Sequence, residues 1–302
     1  TIKIIQIERK IDWLIYCMVE NIKRKFPSWC EESGENYELI LSDDIDSFMC
    51  YVFQKNMFNR DISHFFNANN TSKTQKLYVR EGYNNSVENL IALDCAFEHN
   101  MKCWDNHITK IRDDDSFNMN SANLNNVMNI CRNNFKYKAC ISSFITMLSY
   151  YNVDISKWTK DQLAVLCCID GLYYPFKSDN NFETIGRRNL DKLEYGFLES
   201  FIVENMDYIL KIKNQLRLDE KILIKDGKLA TNIDLESLKN IYQDIFQHME
   251  LPDTVFLEKA ILNKEYITIS DYSSISKNSL LKEKNVINFV MTFKKRCIVS
   301  YY

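Results

Sequence analysis

The stretch ILSDDIDSFMCYVF, residues 40–53, decides how the rest of the chain is read. An apolar run leads into three aspartates within four positions, and apolar residues resume at once. YELILS (37–42) has the length and bounded apolarity of a buried strand, and FMCYVFQKNMF (48–58) fits a helix. In an extended segment, residues i and i+2 point to the same side. Asp44 and Asp46 can therefore face one site together, which leaves Asp43 as a solvent-facing or capping carboxylate. The alternative is a helix cap, because Asp is favoured at a helix N-terminus and complements its dipole.

The pattern recurs downstream. KLYVRE (76–81), NLIAL (89–93) and MKCW (101–104) read as strands, and the last two end on Asp94 and Asp105. In DNH (105–107), Asp105 and His107 stand two apart, like Asp44 and Asp46. Residues 135–151 and 160–170 read as helices, the second ending at Asp170. Taken singly, DNH is also a turn and Asp170 also a helix end before glycine. Strands alternating with helices predict an α/β domain with a mostly parallel sheet. Ligands bind at the carboxyl ends of such strands. Carboxylates gathered there repel one another unless a cation sits among them, and hard, oxygen-seeking Mg²⁺ or Mn²⁺ fits, with histidine favouring Mn²⁺.

The flanking regions differ. Residues 7–26 carry apolar positions at helical spacing and stop at Pro27. The segment 113–126 is polar and reads as a loop. Residues 184–218 look like one or two long charged helices. The remainder mixes helix with strand-like runs, EYITIS (265–270) and RCIVSYY (296–302). The expected organisation is an N-terminal helical extension (1–36), a metal-binding domain (37–183), a linker helix (184–218) and a smaller α+β C-terminal domain (219–302).

Composition sets limits on partners and location. The 302 residues are 46% hydrophobic and 26% charged, a globular balance. A net charge of −3 excludes a global basic field for long nucleic acid and leaves room for a local basic groove. Six glycines and three prolines favour helix over tight turns. The ten cysteines form no CxxC pair, so they read as buried reduced thiols of a cytoplasmic protein. TIKIIQIERK is charged too early for a signal peptide, and no uncharged run approaches the ~20 residues of a membrane span.

In this order the pieces resemble the DHH family of phosphoesterases, which includes RecJ-type exonucleases, oligoribonucleases, nucleotide phosphatases and cyclic-dinucleotide phosphodiesterases. The first motif is similar to LILSDDIDSFMCYVF, the second to LIALDCAF and the third to KCWDNHIT. The fourth region is similar to the helices running through KDQLAVLCCIDGLYYPF, and the resemblance covers about residues 37–176. It implies that Asp44, Asp46, Asp94, Asp105, His107 and Asp170 hold two Mn²⁺ (or Mg²⁺) ions. Asp105, Asn106 and His107 would then form the catalytic motif, with a metal-bridging hydroxide as nucleophile. The implied substrate is a phosphodiester or phosphomonoester in a nucleotide or short oligonucleotide.

The chain departs from the family pattern in three places. Asn106 stands where the middle histidine would be, and Ser47 where a glycine would follow D-x-D. Only CAFEHN (95–100) separates two strands that a parallel crossover would join through about a dozen residues. His99 in that connector reads as a surface residue and His64 as a structural one. The family's second domain closes over the metals with a glycine-rich segment and an arginine-bearing strand. Here no glycine follows Gly227. Lys294, Lys295 and Arg296, with Arg187 and Arg188, are the phosphate-facing candidates, or else solvated charge clusters. Tyr173, Tyr174, Tyr301 and Tyr302 are candidate base-stacking residues, or else core. The departures leave an alternative open: a catalytically weakened protein of this fold, with a homodimer as its candidate assembly, that binds a nucleotide or a protein partner without turnover.

Overall fold

The computed structural model describes residues 18–33, 36–68, 72–138, 140–177, 182–270 and 274–302. Most of the helix expected over 7–26 lies outside these. Its described part is the short α1 (Glu20–Lys23), followed beyond Pro27 by a 3₁₀ turn at Ser28–Glu31.

Five short strands make the parallel part of the sheet. They are β1 (Glu38–Leu41), β2 (Ile62–Asn67), β4 (Leu90–Leu93), β5 (Lys102–Trp104) and β6 (Ser121–Ala122). Between β1 and β2 lies α2 (Ile45–Phe58), and between β2 and β4 lies β3 (Thr74–Arg80). Then come α3 (Leu124–Val127), α4 (Ser143–Tyr150) and α5 (Lys160–Cys168). The charged segment expected as one or two long helices is three shorter ones, α6 (Glu183–Lys192), α7 (Leu198–Glu204) and α8 (Met206–Gln215). A small hairpin follows, β7 (Ile222–Lys225) and β8 (Lys228–Thr231), then α9 (Leu235–Tyr242). The chain closes with β9 (Phe256–Thr268), α10 (Lys277–Glu283), β10 (Val286–Phe293) and β11 (Arg296–Tyr301).

The main sheet has nine strands in the order β10-β11-β9-β3-β2-β1-β4-β5-β6. It is mixed. The run β2-β1-β4-β5-β6 is parallel, whereas β3, β9, β11 and β10 add antiparallel on the β2 side. Residues 219–302 therefore contribute three strands to the same sheet as 37–183, joined through β3 and β9.

β1 is central, so both its faces are covered, and its residues alternate between two cores. Leu39 and Leu41 share a core with α2, α4 and α5, whereas Ile40 packs with Phe66, Ala92, Cys103 and Leu262. That last contact shows the sheet curling until β9 comes over its far face. The curl is tied at its rim. The N–H of Glu98 donates to the Ile287 carbonyl (2.9 Å), that of Phe289 to Ala96 (3.2 Å) and that of Met291 to Ile108 (2.8 Å). Edge strand β10 thus meets the segments flanking β5.

This also explains the short connector between β4 and β5. Both strands are short, four and three residues. The return path is an extended segment in which Phe97 pairs antiparallel with Asn288, rather than a helix. Left-handed backbone at Asp94, His99 and Asn100 makes the reversals. At ~3.3 Å per residue, a few extended residues span a four-residue strand.

No helix among the described residues is long and apolar enough to cross a membrane. The nine described cysteines are free thiols, all buried except the half-buried Cys140.

Candidate metal centre

The carboxyl ends of β1, β4, β5 and β6 lie side by side, and each delivers polar side chains to one place. After β1, Asp44 is the N-cap of α2 and accepts the Ser47 N–H at 3.2 Å. Asp46 sits in the first turn of α2, fully buried, so the pair is not carried on an extended segment as the spacing suggested. Ser47, the next residue, is also fully buried. Its hydroxyl accepts from the Ser42 N–H (2.7 Å) and donates to the Leu93 carbonyl (3.0 Å), pinning the end of β1 to that of β4. Asp43 is not solvent-facing. It is buried and pairs with Lys221 at 3.0 Å, and Lys221 also reaches Asp44 at 3.3 Å.

Asp46 faces the N-terminus of α4. Its two oxygens accept the backbone N–H groups of Ser143 (2.7 Å) and Phe144 (2.8 Å), donors that the first turn of a helix leaves unpaired. That terminus exists because Ser142 caps α4 and accepts from the Ile145 N–H at 3.1 Å. The single helix expected over 135–151 is thus interrupted, with a separate 3₁₀ turn at Arg132–Tyr137. The Ser143 hydroxyl donates to Asp94 at 3.2 Å.

Within DNH the three side chains have distinct tasks. Asp105 accepts from the His107 N–H (3.1 Å) and contacts its Nδ1 (2.7 Å), which fixes the imidazole. The Asn106 amide donates to Asp46 at 3.2 Å and to Asp170. Asp170 closes α5 in left-handed backbone; the residue is exposed, but its carboxyl is surrounded by protein. The polar segment 113–126, expected as a loop, carries β6 and the start of α3, and it supplies support that spacing alone did not reveal. Asn123, fully buried after β6, donates to Asp105 (2.7 Å) and to the His107 carbonyl (2.7 Å), while Asn125 donates to the Asn106 carbonyl (2.7 Å).

Among the described residues, two groups of three could hold a metal ion: Asp46, Asp94 and Asp170, and Asp94, Asp105 and His107. Within each, one ligand atom per residue lies within 4.8 Å of the others, and Asp94 belongs to both. Asp44 lies outside both. Burial, then the neighbouring charges of Asp170, Asp94 and Asp44, pushes the Asp46 carboxyl well above its usual range. Burial and Asp44 do the same to Asp94 and raise Asp170. Burial alone would lower His107, but Asp105 and Asp94 override it and hold the imidazole up at about 9. Asp46, Asp94 and Asp170 each resist ionisation beside the others, so the cluster has a surplus of negative charge, which a cation relieves.

The donor set suits such an ion. Asp46 is already served by Ser143, Phe144, Asn106 and the Cys50 thiol. Among the described contacts, Asp94 receives one side-chain donor and Asp170 receives Asn106, which leaves carboxylate lone pairs open on both. Carboxylate oxygens with one imidazole are a set that divalent cations accept.

A cleft of about 730 Å³ lies inside the curl of the sheet. Asp44, Asp94 and His107 line it, as do Lys138, Lys221 and Arg296. Lys221 is 177 positions from Asp44, and no local pattern in the sequence marks it. Of the basic candidates, Arg296 alone lines the cleft. Lys294 and Lys295 are exposed in the β10–β11 turn. Arg187 is exposed on α6 and paired with Glu183 (3.0 Å) and Glu199, and Arg188 is exposed on the same helix. His99 is exposed at its turn; His64 is buried in β2, with Nδ1 3.0 Å from the Ser63 hydroxyl.

No family model, no curated protein and no solved structure matches this chain.

Proposed function

We propose that the chain is a divalent-metal-dependent phosphoesterase of DHH type, acting in the cytoplasm on a phosphodiester or phosphomonoester of a nucleotide or short oligonucleotide. The observation that carries this is the sharing of Asp94 between two groups of metal-type ligands at the wall of a cleft that Arg296 also lines. Asp46, Asp94 and Asp170 would hold one ion, and Asp94, Asp105 and His107 a second. Such ions, when bound, supply polarisation of a phosphoryl oxygen and a water acidified toward neutral pH.

The chain's own groups support the rest. Lys221, Lys138 and Arg296 offer positive charge to a phosphate in the cleft. Asp105 holds His107 in one orientation, and Asn123 holds Asp105. Asn106 keeps Asp46 and Asp170 together.

The test is hydrolysis of bis-p-nitrophenyl phosphate, dinucleotides and cyclic dinucleotides with Mn²⁺ or Mg²⁺, beside Asp94→Ala. Metal-dependent turnover that Asp94→Ala abolishes supports the proposal; no turnover of any of these overturns it. Asn106 favours a second possibility, a nucleotide-binding protein without turnover, because its amide partly relieves the Asp46–Asp170 repulsion without an ion. Nucleotide binding at the cleft with no hydrolysis would select that alternative.

A further inference from the structure

Lys221, immediately before β7, places its ammonium between two aspartates from the end of β1. Nζ lies 3.0 Å from Asp43 Oδ1 and 3.3 Å from Asp44 Oδ2. The β7–β8 hairpin docks there without needing an ion pair. Ile222 and Leu229 are buried in the main core, and the Ile222 N–H donates to the Asp43 carbonyl at 2.9 Å. The ammonium instead completes the engagement of Asp44. Its Oδ1 caps α2 by accepting the Ser47 N–H, and its Oδ2 accepts from Lys221. We infer that Lys221 is a built-in counter-ion that holds Asp44 out of the metal-ligand set and limits how tightly the cluster binds divalent cations. The inference rests on the metal-centre reading of the cluster and not on phosphoester chemistry.

Charge balance gives the ammonium this role. The two ligand groups together hold four carboxylates, Asp46, Asp94, Asp105 and Asp170. These match two divalent ions charge for charge when His107 binds as neutral imidazole. Asp43 and Asp44 lie beyond that balance, and their side chains are only 7% and 26% exposed. Left uncompensated, they would deepen the negative charge of the cluster and draw a cation toward Asp44. Asp44 is close enough for this, because its charge already acts on Asp46, Asp94 and Asp170. Lys221 meets that demand with a cation attached to the chain. An ammonium has three donors; two go to Asp43 and Asp44, and the third is left for the cleft that Lys221 also lines. Its charge repels ions in the cluster and attracts Asp44, and both effects lower metal affinity.

Calorimetric titration with Mn²⁺ alone, across a double-mutant cycle, tests this directly. Lys221→Met keeps the apolar stem and removes the charge. It is expected to bind Mn²⁺ about tenfold more tightly or better, because a repelling charge is lost and a carboxylate oxygen gained. Lys221→Arg keeps the wild-type affinity. Asp44→Asn retains a side chain suited to the helix cap and lowers wild-type Mn²⁺ affinity by less than about tenfold. In the Lys221→Met background the same substitution costs about tenfold or more, because there Asp44 has become a ligand. A lysine that merely braced the fold would not tighten metal binding when lost. Four results overturn the inference: Lys221→Met binding Mn²⁺ no more tightly than wild type, Asp44→Asn costing the same in both backgrounds, Asp44→Asn costing wild type tenfold or more, or no Mn²⁺ binding by any of these proteins. If Lys221→Met fails to fold, Asp44→Asn alone decides. Mn²⁺ binding in the expected pattern without hydrolysis of bis-p-nitrophenyl phosphate supports the counter-ion and removes the phosphoesterase reading. Hydrolysis together with a tenfold cost of Asp44→Asn in wild type does the reverse.

Discussion

Asn106 donates its side-chain amide to Asp46 across 3.2 Å, joining residues 60 positions apart, and the same nitrogen reaches Asp170. A neutral donor thus sits between two carboxyls that repel each other. Asn106→Ala should lower stability by about 1.5–3 kcal/mol, the range for hydrogen bonds to charged groups. Mn²⁺ should restore more stability to the variant than it adds to wild type, because the charge left without the amide is what a cation relieves. Thermal unfolding with and without Mn²⁺ reads both effects. An unchanged midpoint in metal-free buffer would mean that the amide holds nothing together.

Arg296 lines the same cleft as Asp44 and Asp94 and makes no ion pair with either among the described contacts. Its role should be uniform binding of phosphate. Arg296→Ala is expected to raise KM about tenfold or more with kcat within a few-fold, whereas Asp94→Ala should abolish turnover. Steady-state kinetics on a dinucleotide separates the two. A large fall in kcat for Arg296→Ala would move it from binding to stabilisation of the transition state.

Lys277 is fully buried, with Nζ 2.6 Å from Glu98, and it ties α10 to the connector between β4 and β5. Removing one member leaves the other charge buried alone. Lys277→Met should cost about 3–5 kcal/mol, and the double variant Lys277→Met/Glu98→Gln should recover a good part of that loss. Urea unfolding of the single and double variants completes the cycle. Strictly additive losses would show that the pair does not interact.

His64 is held neutral. Burial, with Lys259 and Arg80 nearby, lowers its pKa from 6.5 to about 4. The folded-state value lies below the unfolded one, so its contribution is complete above pH 6.5. It is lost as pH falls toward 4, where the unfolded chain takes a proton that the native state refuses. The full effect is on the order of 3 kcal/mol. His64→Gln should flatten the acid slope between pH 6.5 and 4 relative to wild type, as followed by urea midpoints. Parallel slopes would place the acid sensitivity elsewhere.

Much of the parallel half was legible. β1, β4 and β5 are short apolar runs, and such runs bounded by polar residues have few other uses in a chain this rich in hydrophobic side chains. β2 was missed because Ser63 and His64 break up the apolar signal of Ile62, Phe65 and Phe66 although both are buried. The start of α4 was missed because the apolar periodicity runs straight through Ser142 and Ser143. Their capping and carboxylate-binding roles become visible only once Asp46 and Asp94 are placed beside them.

By itself the sequence determined which carboxylates follow which strands, because side-chain alternation and strand length are local properties of the chain. That was enough to put Asp46, Asp94, Asp105 and His107 at neighbouring strand ends, while Asp170, at a helix end, joined them only through the family resemblance. The tertiary structure decided the rest. It brought Lys221 beside Asp43 and Asp44, and it gave Asn106 and Asn123 their acceptors. It also curled the sheet until Arg296 shared a cleft with Asp94, while leaving Arg187 on the surface. Each of these depends on groups far apart in the chain meeting across the curled sheet. No periodicity encodes such meetings, because they follow from how the cores pack rather than from the order of residues.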